Sequence, residues 1–179
     1  VDDLKIPVTT TEVLDFYRVM RQDIEGYPDY HGKKLFWVHL FPYYQETLKQ
    51  YLDLSGRYYV CGYDFNLDFP DQLDTADPIR ALARKMLLNR YNGDYQRKTD
   101  WITGLVRDCG ADGVVHFNHW GCKQVAGGVQ LLKAALRDEG IPLLILDGDA
   151  LDRRNSHDGQ LKTRLEAFFE LLDKGGGAG

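Results

Sequence analysis

Cysteine is scarce in this chain. Its 179 residues include three, Cys61, Cys109 and Cys122, and no two form a CxxC pair. That spacing excludes a multi-cysteine zinc ribbon or a disulfide scaffold and fits an intracellular, reducing compartment. Long apolar runs are also missing. None approaches the roughly 20 residues that a bilayer-spanning helix needs, so no membrane partner is expected, and no charged-then-apolar leader opens the sequence. Positive charge is in deficit: the net charge is −5 with no basic stripe, which speaks against a nucleic-acid surface but leaves room for a local phosphate or coenzyme site. The glycine-rich phosphate loops GxGxxG and GxxxxGK followed by Ser or Thr do not occur. Neither does a serine nucleophile elbow.

What is present describes a folded domain. Apolar residues make up 44% and charged residues 27%, the balance of a globular protein, and the length suffices for one domain with a sizeable core. The first residue is Val1 rather than Met, so the chain is expected to be an excised portion of something longer. No internal repeat is visible. A single domain over residues 1–174 is expected, followed by a flexible tail at 175–179, where GGGAG has no side chains able to pack.

The pattern along the chain alternates between two periods. TTTEVLDFYRVMRQDIEG reads as a helix capped by Thr10 or Thr11, with Val13, Tyr17, Met20 and Ile24 on one face. KLFWVHL at 34–40 is a continuous apolar run, the mark of a strand buried on both faces. A helix near 44–54 follows, then a strand at 57–62 and two helices near 78–91 and 95–109. The third strand is ADGVVHF and its helix CKQVAGGVQLLKAALRDEG, with Val125, Val129, Leu132 and Leu136 facing inward. IPLLILDGD and DGQLKTRLEAFFELLDK supply the fourth strand and the last helix, in which Leu161, Leu165, Phe168 and Leu172 form the packing face. Apolar strands separated by helices predict an α/β fold, a four-stranded parallel sheet covered on both faces, with right-handed crossovers and strand order 2-1-3-4. Ligands of such sheets gather at the carboxyl edge, at the switch point between the first and third strands. The loops there are HLFPYY, 39–44, and FNHWGC, 117–122.

Cys122 therefore lands where a site belongs. At a helix start, free N–H groups and the macrodipole favour a thiolate, which is both nucleophile and metal ligand; a small apolar filler of a turn fits the same spacing. Cys61, at a strand end, reads as core, and Cys109, closing a helix on the opposite edge, as structural. His39, His116 and His119 lack zinc-site spacing, and His116 reads as a hydrogen-bonded core residue. Asp147, Asp149 and Asp152 in LDGDALDRRN either hold a cation or orient Arg153 and Arg154, or else form an Asp-rich turn before the last helix. Gly127 and Gly128 lie inside a helix and point to close packing, not phosphate binding.

GADGVVHFNHWGCKQ, then LKAALRDEGIPLLILDGDALDRRN, then GQLKTRLEAFFELL resemble, in that order, the C-terminal part of the 2-hydroxyacyl-CoA dehydratase and benzoyl-CoA reductase family. The resemblance covers 110–172 most specifically and implies a Rossmann-like three-layer sandwich. It implies a cytoplasmic, two-domain iron–sulfur subunit of anaerobes that pairs with a second subunit and holds a 4Fe-4S cluster. An ATP-dependent iron–sulfur activator supplies one low-potential electron. In the dehydratases the acyl-CoA substrate becomes a ketyl radical that expels hydroxyl; in the reductases an aromatic ring is reduced. The cysteine after the third strand is a cluster ligand in that family, and here it is Cys122, with partners from a domain outside this chain; the isolated domain is then inactive and without its cluster, since one thiol cannot retain a cubane. Asn118, His119 and Trp120 flank that ligand, and Lys123 and Arg153 are cations suited to coenzyme A phosphates or simply solvated. A sibling with a double cluster and an electron-transfer role fits the same residues, and a non-catalytic α/β module binding a small ligand in the crevice is the rival from another class.

Overall fold

In the computed structural model the described residues are 15–16, 18–19, 22, 31–52, 56–67, 73–155 and 157–175. By its contacts the chain divides into two units, Val1–His31 and Gly32–Gly179. In the first, Asp15, Phe16, Arg18, Val19 and Gln22 are helical, and Arg18 pairs with Asp15 at 2.7 Å. The proposed caps Thr10 and Thr11, the apolar positions Val13, Tyr17, Met20 and Ile24, and residues 176–179 of the tail lie outside the described residues.

The second unit is built on four strands, β1 (Lys33–Val38), β2 (Tyr58–Tyr63), β3 (Gly113–His119) and β4 (Leu143–Gly148). They pair in parallel in the order β2-β1-β3-β4, the order expected from the sequence. The alternation of side chains explains the two covered faces. Leu35 and Trp37 of β1 join Val115, Phe117 and Leu146 against α1 (Glu46–Tyr51) and α5 (Asp158–Gly175). Phe36 and Val38 join Val114 against α3 (Tyr95–Asp108) and α4 (Lys123–Asp138). Leu35, Phe36, Trp37 and Val38 are all fully buried, which is why this strand reads as an unbroken apolar run. Each such side chain stabilises the fold by about 1.5–3 kcal/mol.

The helices begin and end where local chemistry dictates. Asp77 caps α2 (Pro78–Leu88), whose first residue is a proline, and Asp94 caps α3; each carboxylate accepts a backbone N–H three residues on. Gly110 and Gly140, at φ 59° and 74°, end α3 and α4 in the left-handed region that L side chains avoid. The inner face of α4 is Val125, Val129, Leu132 and Leu136, and that of α5 is Leu161, Leu165, Phe168 and Leu172 with Phe169. Of the two adjacent glycines in α4 only Gly128 is packed. A Cβ there would sit 2.1 Å from the Tyr95 ring, whereas one at Gly127 would meet nothing within 4 Å. α2 buries only Ala81 and exposes Ile79, Leu82 and Met86.

Cys109 closes α3 as its C-cap, as expected, whereas Cys61 is placed differently. Cys61 lies within β2 rather than at its carboxyl end, and it faces Cys109 closely enough for a thiol–thiol hydrogen bond. The register of β1 against β2 shifts between Leu35, opposite Val60, and Phe36, opposite Gly62, which leaves Cys61 as the extra residue of β2, and the Phe36 ring and the Cys109 sulfur both lie close to Gly62. Burial raises the Cys61 thiol to about 11. Neither cysteine is in a disulfide.

Candidate functional site at the β1–β3 switch point

Chain direction reverses its progress across the sheet between β1 and β3, and the loops after these strands meet at the carboxyl edge. His39 stands at the head of the first loop with φ 71°, a strained conformation for a residue with a side chain. Its N–H donates to the buried Asp64 carboxylate at 2.9 Å, and its Nδ1 lies 3.1 Å from the Phe117 carbonyl of β3. The two loops are thereby tied across the switch.

β3 runs two residues further than its apolar pattern suggests, so Asn118 and His119 are strand residues. Asn118 donates to Asp147 at 2.7 Å, and the His119 Nδ1 accepts from the Ala150 N–H at 3.2 Å. The Trp120 N–H reaches the Gly148 carbonyl, and the Cys122 N–H closes the turn onto the His119 carbonyl at 2.9 Å. Gly121 packs closely in that turn: a Cβ there would approach the His119 ring to 3.0 Å. Cys122 is the N-cap of α4, half-buried, and its sulfur makes no capping hydrogen bond. Its backbone is thus held on both sides, by the His119 carbonyl and the Ala126 N–H, while its sulfur is left uncommitted among the described residues. Trp120 and Lys123 are exposed. Arg153 is exposed too, its guanidinium 6.0 Å from the Tyr44 ring.

The Asp-rich turn has a structural reading. Asp149 accepts the Leu151 and Asp152 N–H groups and the Asn155 amide, which hold its carboxyl down to about 2. Asp152 is forked by Arg154, and Asp147 by Asn118 and Arg164. Trp120, Asp147, Arg154, His157 and Arg164 line a cavity of about 310 Å³ next to the loop that carries Cys122. Among the described residues no three His, Cys, Asp or Glu side chains assemble into a metal site. One uncommitted thiol fits one corner of an iron–sulfur group and no more.

On the α3–α4 side of the sheet lies a polar cluster that periodicity alone does not announce. Asp64, Lys98, His39 and His116 are all nearly or fully inaccessible. His116 is core, as expected, but neither ring nitrogen has a hydrogen-bond partner among the described residues, contrary to the expected bonding. Burial holds its imidazole down to about 3 and that of His39 to about 4. The one sequence signal for Lys98 is its spacing from Ile102 and Val106, four and eight residues on, which puts a lysine on the apolar face of α3.

In parallel α/β sheets of this kind ligands gather at the switch point, and here a loop-borne thiol stands there. Comparison with known proteins narrows the class. The family model for 2-hydroxyglutaryl-CoA dehydratase, D-component, matches residues 4–172. The alpha subunit of (R)-2-hydroxyglutaryl-CoA dehydratase from Acidaminococcus fermentans is 37% identical over 172 residues, covering 95% of this chain and 32% of the relative. The lactoyl-CoA dehydratase alpha subunit of Anaerotignum propionicum is 22% identical over 76% of this chain and 32% of its own length. A benzoyl-CoA reductase subunit from Thauera aromatica is 24% identical over 84% of this chain and 33% of its own length. The chain belongs to this family of 2-hydroxyacyl-CoA dehydratase and benzoyl-CoA reductase subunits, and it spans about a third of the length of the curated relatives it matches. No helix among the described residues is long and apolar enough to cross a membrane.

Proposed function

We propose that this chain is the C-terminal, cluster-binding domain of a cytoplasmic iron–sulfur subunit that removes water from, or reduces, an acyl-CoA. The observation that carries the reading is the uncommitted Cys122 sulfur at the N-terminus of α4, on the carboxyl edge of the sheet, in a chain of this family. A helix N-terminus offers unpaired N–H groups and the positive end of the macrodipole, both of which favour an anionic sulfur ligand. A 4Fe-4S group held there supplies a one-electron path and Lewis acidity. The other ligands come from outside the described residues.

The chain's own residues position and shield. Asn118 and His119 fix the loop through Asp147 and Ala150, so the sulfur is presented in one orientation. Trp120, 60% exposed and lining the neighbouring cavity, is placed to shield a bound cluster. Lys123 and Arg153 meet coenzyme A phosphates as point charge and planar fork. The proposed assembly includes a second dehydratase or reductase subunit and an ATP-dependent iron–sulfur activator. Calorimetry on the complete, anaerobically reconstituted subunit tests the substrate class: an acyl-CoA binds and free ATP does not. Tight ATP binding without acyl-CoA binding overturns the reading. Iron and sulfide counts separate the alternative, since an electron-transfer protein with a double cluster carries twice the iron.

A further inference from the structure

Two thiols meet where the edge of the sheet touches α3. The register slip between β1 and β2 leaves Cys61 as an extra residue, and a bulge of this kind re-aims the side chains beside it. Val60, one residue earlier, packs in the α1–α5 layer. Against Gly62, one residue later, lie the Phe36 ring of the opposite layer and the Cys109 sulfur, the latter 3.1 Å from the point a Gly62 Cβ would occupy. Cys109 is fixed there as the C-cap of α3. Its N–H donates to the Leu105 carbonyl at 2.9 Å, and Gly110 turns the chain away at φ 59°. The Cys61 thiol is within hydrogen-bond reach of the Cys109 thiol. Both residues are half-buried, so neither is sealed from solvent. The pair also brackets the buried ion pair. Cys61 shortly precedes Asp64, whose carboxylate accepts the His39 N–H of the switch-point loop at 2.9 Å. Cys109 ends the helix that carries Lys98, whose Nζ is 4.0 Å from that carboxylate.

We propose that Cys61 and Cys109 form a reversible disulfide, a redox clasp that joins the β2 edge of the sheet to the end of α3. The oxidant is a low-molecular-weight disulfide of the glutathione class. One protein thiolate attacks a sulfur of that disulfide, forming a mixed disulfide and releasing one small thiol. The second protein thiol, deprotonated, attacks the protein sulfur of the mixed disulfide and releases the other. The protein loses two electrons and two protons, and the small disulfide gains both and leaves as two thiols. Burial raises the Cys61 thiol to about 11, so Cys109 opens the reaction and Cys61 closes it. The sulfurs move only from hydrogen-bond contact to a bond of about 2.0 Å. That bond closes a loop of about 50 residues containing Asp64, α2 and α3, so oxidation fixes both sides of the Asp64–Lys98 pair. Disulfides of reducing compartments are of this transient, sensing kind. The clasp is independent of the iron site proposed at Cys122.

The test needs no iron. Reduced protein is equilibrated in glutathione buffers of increasing disulfide content, quenched with iodoacetamide and digested with trypsin and Asp-N. Cleavage before Asp112 separates Cys109 from Cys122, so the three possible pairings give different linked peptides in the mass spectrum. In the folded protein the Cys61–Cys109 link accumulates as the intramolecular disulfide and disappears when dithiothreitol is added. In concentrated urea, where loop length alone decides, the nearer pair Cys109–Cys122 dominates instead. The linked form melts about 5–15 °C above the reduced form. Cys61→Ser and Cys109→Ser, each checked for fold by circular dichroism, lose both the link and that gain. Three results would each overturn the proposal: separate glutathione adducts on Cys61 and Cys109 at every buffer composition, a link to Cys122 in the folded protein, or a linked form that melts no higher than the reduced one.

Discussion

The seat of Tyr95 on Gly128 joins α3 to α4 just below the thiol-bearing turn, and it can be tested with a matched pair of substitutions. In Gly128→Ala the new Cβ falls 2.1–2.2 Å from three atoms of the Tyr95 ring, one of them the Cγ at its root. No rotation of a flexible tail relieves that overlap, so the ring or the helix must move, at about 1–3 kcal/mol. Gly127→Ala is the control, one residue away in the same helix, where a Cβ meets nothing within 4 Å. There the substitution only removes glycine's helix penalty and stabilises by about 0.8–1 kcal/mol. Gly128→Ala enjoys the same gain, so the difference between the two variants is the clash itself. For a clash of about 2 kcal/mol and a chain of this size, the two melting temperatures differ by roughly 4–8 °C, Gly127→Ala the higher. Thermal and urea unfolding monitored by circular dichroism read the difference directly. Equal stability of the two alanine variants would refute the packing of Tyr95 on α4.

Other outcomes follow from the same structure. His39 and His116 are held down to about 4 and 3 by burial, so the unfolded chain, titrating near 6.5, binds more protons between these values. Stability is then complete above pH 6.5 and falls as pH drops toward about 4, by about 1.4 kcal/mol per pH unit for each imidazole. His39, Lys98 and Asp147 all act on His116, so the variant His116→Leu is compared with wild type at each pH; an unchanged slope between pH 6 and 5 contradicts the burial of a neutral ring. Asp94→Ala removes the side-chain cap of α3, 2.8 Å from the Arg97 N–H, and costs about 1 kcal/mol in urea unfolding. Asp94→Asn, which keeps the acceptor, loses much less. Leu132→Ala deletes a fully buried side chain between α4 and the sheet and lowers stability by about 2–5 kcal/mol. A loss below 1 kcal/mol there would mean that this layer is loosely packed.

The sheet was legible because its information is local and redundant. Strands buried on both faces announce themselves as apolar runs, and Val125, Val129, Leu132 and Leu136 keep one helical period throughout α4. The placement of Cys122 followed from those elements alone, as did that of Asn118 and His119 near the switch. What was not legible depended on pairing across the chain. The contact of Cys61 with Cys109 falls where the register of β1 against β2 is irregular, which no period within either strand encodes. The Asp64–Lys98 pair joins residues 34 apart in sequence, on a 3-10 turn and on α3. A lysine among apolar positions was the clue, but its carboxylate could not be chosen from the several aspartates nearby. The bonding expected for His116 was likewise a matter of neighbours, not of its own alternation in β3.

The central claim is that the Cys122 sulfur holds iron, and it is tested most directly by anaerobic reconstitution of the complete subunit, wild type beside Cys122→Ala. Iron per subunit and visible absorption are measured after removal of unbound metal, with the fold of both proteins checked by circular dichroism. The account predicts that the wild type retains a full cluster and that the variant, equally folded, loses most of its iron and its charge-transfer absorption. Equal iron and equal spectra in the two proteins would contradict it.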